Sequence, residues 1–428
     1  MNSIPFFQSY DPLTKQLTLR GATYLPEEIF EYADQIEILD VAKGSLFELP
    51  ASFPRLKLLK TAFFSQNNFT SVPEVLSECK NLDILGFKSC QIEEVGESAL
   101  PSNLRWLILT DNRIKVLPQS IGSLLKLKKL ALAGNHFESL PDTLKNCISL
   151  ELLRIGANNL REPAPDWVFE LPMLAWYCDS GNPFCSSYTP ELPSSDISYL
   201  DISYGEQIGS SPTSKVFRAI LNSSGQSIAV KHYASALTSD GYAIDDMRAY
   251  LALGEHPNLV KARGRLSDNP DRQPGLVLDL IPSEFTSLGL PPDFMTCTRD
   301  RFPFETSFSL SFIHQVLLDI AAALAHLHGK CITHGDIYAH NVLSNSKGLS
   351  ILGDFGAASF FSSDQKRLRE RVEVRAFGNL IEDLLGQQAP GGCMEEFEKI
   401  LCLQALCTKA GIAECPTMAQ IYSILKQF

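Results

Sequence analysis

The stretch "CITHGDIYAHNVLSNSKGLSILGDFG", residues 331–356, decides the fold of the second half of the chain. It contains two aspartates, Asp336 and Asp354, that are 18 residues apart, and Asn341 follows the first by five residues. Three side chains with oxygen atoms thus lie close together in the sequence, within one short segment. This spacing makes the stretch the first candidate for a functional site.

Three further motifs precede this stretch, in a half that alternates short strands with helices from about Ser203. Together with the two motifs of the opening stretch, the order along the chain is "IGSSPTSKV", "AVK" ending in Lys231, "LVLDLIP", "HGDIYAHN" and "GDFG". Gly209 precedes Lys231 by 22 residues. Each motif alone is weak, but their order and intervals resemble the catalytic domain of protein kinases over roughly residues 203–428. The resemblance implies an α+β two-lobed fold.

The resemblance also implies a chemical role for each polar residue, because phosphoryl transfer depends on positioning and charge neutralisation. Lys231 would bind the α- and β-phosphates of ATP, and Asp336 would accept or orient the proton of the attacking hydroxyl. Asn341 and Asp354 offer hard oxygens that suit Mg²⁺. Core packing alone also explains the apolar members of the expected ATP-binding set. That set comprises Ile208, Gly209, Val216, Ala229, Leu278, Asp279, Ile281 and Leu343.

Two departures from the family pattern affect the expected nucleotide site. Ser211 and Ser214 replace the second and third glycines of the phosphate-binding loop, so its backbone is less free to approach phosphates. In the helix "AIDDMRAYLALGEHPNLV", Met247 occupies the position of the glutamate that pairs with the strand lysine. The sequence leaves open whether Asp245, Asp246 or neither acid takes over that pairing.

Two more departures lie in the opening stretch itself. Gly335 replaces an arginine that in the family binds a phosphorylated activation loop, which implies that no switch of that kind operates here. Tyr338 replaces a lysine that contacts the transferred phosphate. His340 could approach that phosphate instead, and so could a lysine or arginine from the short activation loop. Alternatively, Tyr338 and His340 could simply pack beneath the loop.

The activation segment is predicted to be short. Only 19 residues separate Asp354 from Glu373, which takes the place of the aspartate that opens the family's central helix, and no APE-like motif lies between them. The arginine that usually pairs with the APE glutamate is also replaced, by Cys415. Because a buried arginine without its partner is costly, the joint loss is consistent. The usual platform for a peptide substrate is therefore expected to be reduced.

The first half of the chain repeats itself with a period of 22–24 residues. The template LxxLxLxxNxLxxLP starts at Ile36, Leu59, Leu82, Leu104, Leu127, Leu150 and Leu174. This half resembles the leucine-rich repeat family over about residues 13–184, with an imperfect first unit, Leu13–Pro26, as the expected cap. The turn after each strand carries a residue predicted to satisfy backbone groups of neighbouring repeats. This residue is Cys90 in one unit and an asparagine in five others: Asn67, Asn112, Asn135, Asn158 and Asn182.

A repeat array of this kind binds a partner or acts as a spacer. The residues beside each strand would face the concave side, where a protein ligand or substrate is expected to bind. A merely solvated face explains them equally well. The residues concerned are Asp40, Lys88, Thr110, Asp111, Ala133, Gly134, Arg154 and Gly156.

Composition limits the remaining possibilities. The chain has 428 residues, a net charge of −12 and 45% apolar residues, so a soluble protein of two or three domains without a nucleic-acid partner is expected. Residues 1–20 lack the pattern of a secretory signal. The longest apolar stretch, residues 310–328, contains His314, Asp319 and His326 and is expected not to span a membrane. Eleven cysteines without paired spacing indicate reduced thiols in a cytoplasmic protein.

The sequence therefore predicts an α/β leucine-rich repeat solenoid followed by an α+β two-lobed protein-kinase-like domain. The expected boundaries are residues 1–184 for the repeats, 185–202 for a linker and 203–428 for the kinase-like domain. The expected function is that of a serine/threonine protein kinase that uses ATP and Mg²⁺. A pseudokinase scaffold and a small-molecule kinase are the alternatives.

Overall fold

The computed structural model describes residues 9–191, 195–211, 213–409, 411 and 414–428. Parts of three predictions lie outside the described residues. These are residues 1–8 of the segment predicted to lack a secretory signal, residues 192–194 of the predicted linker, and Pro212 of the phosphate-binding loop. The chain divides into two compact units. The first, called the repeat unit, comprises Met1–Leu174 and Asn182–Phe184. The second, called the kinase-like unit, comprises Ala175–Gly181 and Cys185–Phe428.

The repeat unit is a ladder of short strands, in which β2 to β8 each belong to one successive sequence repeat. From β2 to β8 neighbouring strands are parallel, and one inward residue of each strand pairs in register with the next: Leu17, Leu39, Ala62, Leu85, Leu107, Leu130 and Leu153. All seven are fully buried, so they form the core of the ladder. The elements are β1 (Tyr10–Asp11), β2 (Gln16–Thr18), β3 (Ile38–Asp40), β4 (Thr61–Phe63), β5 (Ile84–Gly86), β6 (Trp106–Ile108), β7 (Lys129–Ala131), β8 (Leu152–Arg154) and α1 (Asp166–Glu170).

The repeat asparagines connect adjacent repeats through side-chain hydrogen bonds to backbone groups, as the sequence predicts. Asn112 donates its side-chain amide to the carbonyl oxygens of Phe87 (2.7 Å) and Leu109 (2.9 Å), and its Oδ1 accepts from the amide of Ile92 (3.0 Å). The other repeat asparagines bond in the same way. Cys90 substitutes by donating its thiol to the Phe64 carbonyl (3.3 Å). The prediction that these side chains satisfy backbone groups of adjacent repeats is confirmed.

The expected concave positions differ widely in exposure. Thr110, Ala133 and Arg154 are no more than 3% exposed, and Gly156 is also buried. The prediction that these four residues face a partner on the concave side is therefore wrong, because buried side chains cannot contact a partner. Among the other candidates, Asp40, Lys88 and Gly134 are half-buried and Asp111 is exposed.

The kinase-like unit starts with the short strand β9 and contains a six-stranded sheet in the order β10-β14-β15-β13-β12-β11. Its core is a cluster of buried apolar side chains: Ile202, Ala219, Ile228, Val230 and Val277. The elements of this part are β9 (Trp176–Cys178), β10 (Asp196–Ser198), β11 (Ile202–Ser210), β12 (Ser214–Leu221), β13 (Gln226–Tyr233), α2 (Ala243–Ala252), β14 (Ala262–Ser267) and β15 (Gly275–Asp279).

The rest of the kinase-like unit is mainly helical. Its elements are β16 (Thr286–Ser287), α3 (Leu310–Gly329), β17 (Ile332–Thr333), β18 (Val342–Ser344), β19 (Ser350–Leu352), β20 (Ser359–Phe360), α4 (Lys366–Leu385), α5 (Met394–Thr408) and α6 (Met418–Leu425). Ser309 caps α3 by accepting the amide of Phe312 (3.2 Å). Thr417 and Gln420 form a capping box that starts α6.

Helix α3 meets the length and composition required of a membrane span, which the sequence analysis did not expect. More than half of its apolar window is buried inside the protein. Asp319 on this helix accepts the backbone amide of Ser350 (2.8 Å) and the side-chain amide of Gln315 (3.0 Å). These contacts are those of a core helix around which the strands and helices of this unit pack.

Candidate active site

The strand lysine and its neighbour converge on one carboxylate. Residues two apart on a strand share a face, so Lys231 and Tyr233 on β13 point the same way. Lys231 Nζ lies 2.6 Å from Asp246 Oδ2, and the Tyr233 hydroxyl donates to the same oxygen at 2.6 Å. Asp246 is 3% exposed. A buried carboxylate with two donors holds the lysine in one position.

The choice between the two acids of α2 is resolved by this contact. Asp245 pairs instead with Arg248 (2.9 Å), and Met247, which occupies the family's glutamate position, is buried and 2% exposed. Asp246 therefore takes the glutamate's part with a side chain one methylene shorter. The hydroxyl of Tyr233 adds a second donor that the sequence analysis missed, although its position two residues after the lysine was a usable signal.

The charge of the lysine is stabilised by its surroundings. Burial by itself lowers the pKa of Lys231, but the negative charges near it, above all Asp246, outweigh this and raise the pKa above the usual lysine value. Burial raises the pKa of Asp246, and Lys231 opposes that rise. Because the two groups are in hydrogen-bond contact, we treat the pair as ionised at neutral pH, with the proton on Lys231.

Asp354 lies on the open side of this pair. Its Oδ1 is 4.0 Å from Lys231 Nζ, and its side chain is 62% exposed. Its backbone has a positive φ of 55° and donates its amide to the Tyr250 hydroxyl (3.2 Å). The next residue, Phe355, is fully buried and packs edge-on against Tyr250 at 4.8 Å. The strained backbone thus directs an accessible carboxylate toward the lysine.

The catalytic loop, defined here as residues 334–341, holds Asp336 and Asn341 together. Asn341 donates its side-chain amide to Asp336 Oδ2 (2.8 Å) and to the Asp336 carbonyl (2.9 Å). His334 Nδ1 accepts the amide of Asp336 (3.2 Å), so His334 Nε2 carries the proton shared with the Gly353 carbonyl (2.9 Å). The Gly353 amide in turn donates to the Asn341 carbonyl (3.0 Å), which ties the loop to the segment that carries Asp354.

The residues expected to bind a metal fit Mg²⁺. Because the nitrogen of the Asn341 side chain is engaged with Asp336, its Oδ1 remains the atom that would face a cation. Asp354 supplies an exposed carboxylate, and the residue before it, Gly353, donates its amide to the Asn341 carbonyl. Mg²⁺ bound with a nucleotide usually takes one or two protein oxygens, together with phosphate oxygens and water. One amide oxygen and one carboxylate meet that requirement.

Strand register brings several of the expected ATP-binding residues together. Gly209 pairs with Val216, Val216 with Lys231, and Ala229 with Leu278. Ala229 and Leu278 are buried, whereas Val216, Leu343, Asp279 and Ile281 are half-buried and Ile208 is 44% exposed. The amide of Asp279 donates to the Lys261 carbonyl (2.9 Å), so this amide is already used within the sheet.

The serines of the phosphate-binding loop bond mainly to each other. Ser211 Oγ accepts the amides of Thr213 (3.2 Å) and Ser214 (3.0 Å), and the Ser211 amide donates to the Ser214 carbonyl (2.8 Å). These bonds close a tight turn between β11 and β12. The hydroxyls that replace two glycines therefore stabilise the turn, in addition to whatever contact they make with phosphate.

The two unusual residues of the catalytic loop have structural partners. Gly335 has φ +75°, and its amide donates to Glu373 Oε1 (2.6 Å). Tyr338 is 4% exposed and stacks on Trp176. His340 Nδ1 lies 2.7 Å from Asp300 Oδ1. Trp176 and Asp300 were missed by sequence reasoning, because nothing local indicates contacts over such separations.

Comparisons with known proteins agree with the two halves. A family model described as protein kinase domain matches residues 202–377, and one described as leucine rich repeat matches residues 102–176. The resemblance to both families is confirmed at that level. The chain thus carries leucine-rich repeats followed by a protein kinase domain.

Several curated kinases are similar to this chain at low identity. The serine/threonine-protein kinase PITSLRE of Drosophila melanogaster is 27% identical over 159 residues (37% of this chain, 16% of the relative). Cyclin-dependent kinase C-2 C of Arabidopsis thaliana is 27% identical over 220 residues (51% and 31%). The leucine-rich repeat receptor-like protein kinase PXC1 of Arabidopsis thaliana is 24% identical over 207 residues (43% and 29%). The chain spans less than a third of the length of each of these relatives.

Proposed function

We propose that the kinase-like unit transfers the γ-phosphoryl group of ATP, bound with Mg²⁺, to a serine or threonine hydroxyl of a protein. The observation that carries this proposal is the Lys231–Asp246 pair at 2.6 Å, with the exposed carboxylate of Asp354 4.0 Å from the lysine. A purely structural ion pair has no need of an exposed second carboxylate beside it. A nucleoside triphosphate with its cation would account for both the positive charge of Lys231 and the negative charge of Asp354.

Each residue then has a defined task. Lys231 neutralises the α- and β-phosphates, and Mg²⁺, held by Asn341 and Asp354, would supply further charge neutralisation for the phosphate oxygens. Asp336 orients the acceptor hydroxyl and takes its proton. The acceptor oxygen forms a bond to the γ-phosphorus while the bond to the bridging oxygen breaks, and ADP leaves. The hydrogen bond from Asn341 holds the Asp336 carboxylate in place for this step.

We further propose that the kinase lacks control by a phosphorylated activation segment. Two features support this. Gly335 offers no cation to a phosphate, and α4 begins at Lys366, only 12 residues after Asp354. The reduced platform leaves acceptor recognition to other surfaces. The repeat unit is the proposed source, through half-buried and exposed positions such as Asp40, Lys88 and Asp111. The proposed location is the cytoplasm.

A pseudokinase scaffold is the alternative favoured by the loop serines, whose hydroxyls bond within the turn. Thermal unfolding of the wild type and of Asp354→Asn, with ATP in the presence and absence of Mg²⁺, separates the two functions. A ligand that binds only the folded state raises the melting temperature. We expect ATP to stabilise the wild type only with Mg²⁺ and the variant to lose that dependence. Transfer of labelled phosphate to casein then tests catalysis.

The proposal fails if saturating ATP with Mg²⁺ leaves the melting temperature of the wild type unchanged. Binding without any transfer, either to casein or to the protein itself, would support the scaffold. Labelled phosphate that appears on a small hydroxyl compound, and not on protein, would support a small-molecule kinase.

A further inference from the structure

A short segment at the start of the kinase-like unit packs against the catalytic loop. This docking segment is Ala175–Gly181, which sequence reasoning assigned to the last repeat. Trp176 is 1% exposed and stacks face to face on Tyr338, with ring centroids 4.4 Å apart and planes inclined by 5°. Its indole N–H donates to the carbonyl oxygen of Ile337 (3.0 Å). One side chain thus contacts the two residues that follow Asp336.

The residue that precedes Asp336 is held by the same segment. A Cβ atom on Gly335 would lie 2.8 Å from the Tyr177 carbonyl oxygen and closer still to that of Ala357. Only glycine fits there, because these oxygens occupy the space of a side chain and φ is +75°. The Gly335 amide is fixed on its other side by Glu373 (2.6 Å). Asp336 is therefore held from both sides along the chain.

A buried ion pair fixes the far end of the docking segment. Asp179 and Arg369 on α4 form a two-pronged contact, with Nη1–Oδ1 at 3.0 Å and Nη2–Oδ2 at 2.6 Å, and neither side chain is more than 1% exposed. The Tyr177 hydroxyl donates to Asp179 (2.8 Å), and the Asp179 amide donates to Ser359 Oγ (3.3 Å). Such a pair permits little movement of the segment.

We infer that the docking segment positions the catalytic loop, and that Trp176 is a positioning residue for Asp336. This inference rests on the proposed kinase function. Tyr338 replaces the phosphate-contacting lysine of the family and Gly335 replaces the arginine of its activation switch. Both replacements serve as contacts for the docking segment. The segment thus holds the loop permanently in place, a task that a phosphorylated activation segment performs in kinases with the arginine.

Three variants of the full-length protein test this. Trp176→Ala removes the stacking and the N–H bond, Trp176→Phe keeps an aromatic ring, and Trp167→Ala deletes a tryptophan of the repeat unit as a matched control. Two measurements are made on each variant. One is steady-state transfer of labelled phosphate from ATP to casein, and the other is hydrogen–deuterium exchange of peptides from residues 331–343 and from α3.

For Trp176→Ala we expect kcat to fall about 10- to 100-fold, since misplacement by about 1 Å can cost that much, with the KM for ATP changed less than about threefold. Amides of residues 334–341 should exchange about tenfold faster, while α3 stays protected. Trp176→Phe should recover most of the activity, and Trp167→Ala should match the wild type.

Two results would overturn the inference. One is unchanged loop exchange in Trp176→Ala. The other is a loss of protection in α3 equal to that in the loop, which would mean a general loss of stability. A wild type that neither binds nor uses ATP would reject the kinase function by itself. The exchange measurement would still decide whether Trp176 holds the loop.

Discussion

The buried pair of Asp179 and Arg369 leads to a quantitative prediction for stability. Removing one member of a fully buried pair leaves the other charge without compensation, at a cost of about 3–5 kcal/mol. Water cannot solvate the charge that remains, because the two side chains are 0% and 1% exposed. Arg369 would keep a bond to Gln365 Oε1 (3.1 Å) and the rings of Tyr177 and Phe361 at 5.5 and 5.8 Å. A loss near the lower limit, about 3 kcal/mol, is therefore expected for Asp179→Ala.

Calorimetry of the full-length protein measures this loss. For a unit of roughly 250 residues, about 3 kcal/mol corresponds to a fall in the melting temperature of roughly 6–12 °C. The double variant Asp179→Leu/Arg369→Met replaces the pair by apolar side chains and should recover to within about 1 kcal/mol of the wild type. A single variant that loses less than about 1 kcal/mol, or a double variant that loses the sum of the single effects, would refute the reasoning.

Three further predictions concern the site. Asp246→Ala should weaken binding of ATP with Mg²⁺ at least tenfold in a calorimetric titration, because Lys231 loses its partner and burial then lowers its pKa; unchanged affinity would contradict this. Gly335→Ala should lower kcat at least tenfold, or prevent folding as seen by circular dichroism, since its Cβ has no room; normal turnover would be the contrary result. Burial alone would raise the pKa of Glu373, but contacts led by His328 hold that pKa below its usual value. The contribution of Glu373 to stability is therefore present above about pH 4.5 and is lost as the pH falls further. In unfolding titrations, Glu373→Gln should lose this decrease of stability at acid pH, and an unchanged pH dependence would argue against the contact.

The repeat unit and the polar site were predictable because they depend on intervals along the chain. A period of 22–24 residues places the asparagines of successive repeats above one another, so their hydrogen bonds follow from the sequence. The intervals from Gly209 to Lys231, and from Asp336 to Asn341 and Asp354, likewise match those of the kinase family. Residues related by regular spacing or by short loops can be located without coordinates.

Contacts that depend on helix rotation or on distant segments were not predictable. Counting residues placed Met247 opposite Lys231, but the orientation of α2 brings Asp246 there, a difference of one residue or about 100° of rotation. Trp176 contacts Tyr338 across 162 positions of sequence, and no periodicity relates them. Helix α3 was judged by its polar residues, whereas its length and overall composition satisfy the criterion for a span.

The close approach of two backbone carbonyls to Gly335 limits which residues can replace it. An arginine does not fit at position 335 in this arrangement, because its first side-chain carbon would meet the carbonyls of Tyr177 and Ala357. The docking segment would have to withdraw first, and that step would break the Asp179–Arg369 pair. Placing a cation at this position therefore requires a rearrangement of the docking segment and not a single substitution.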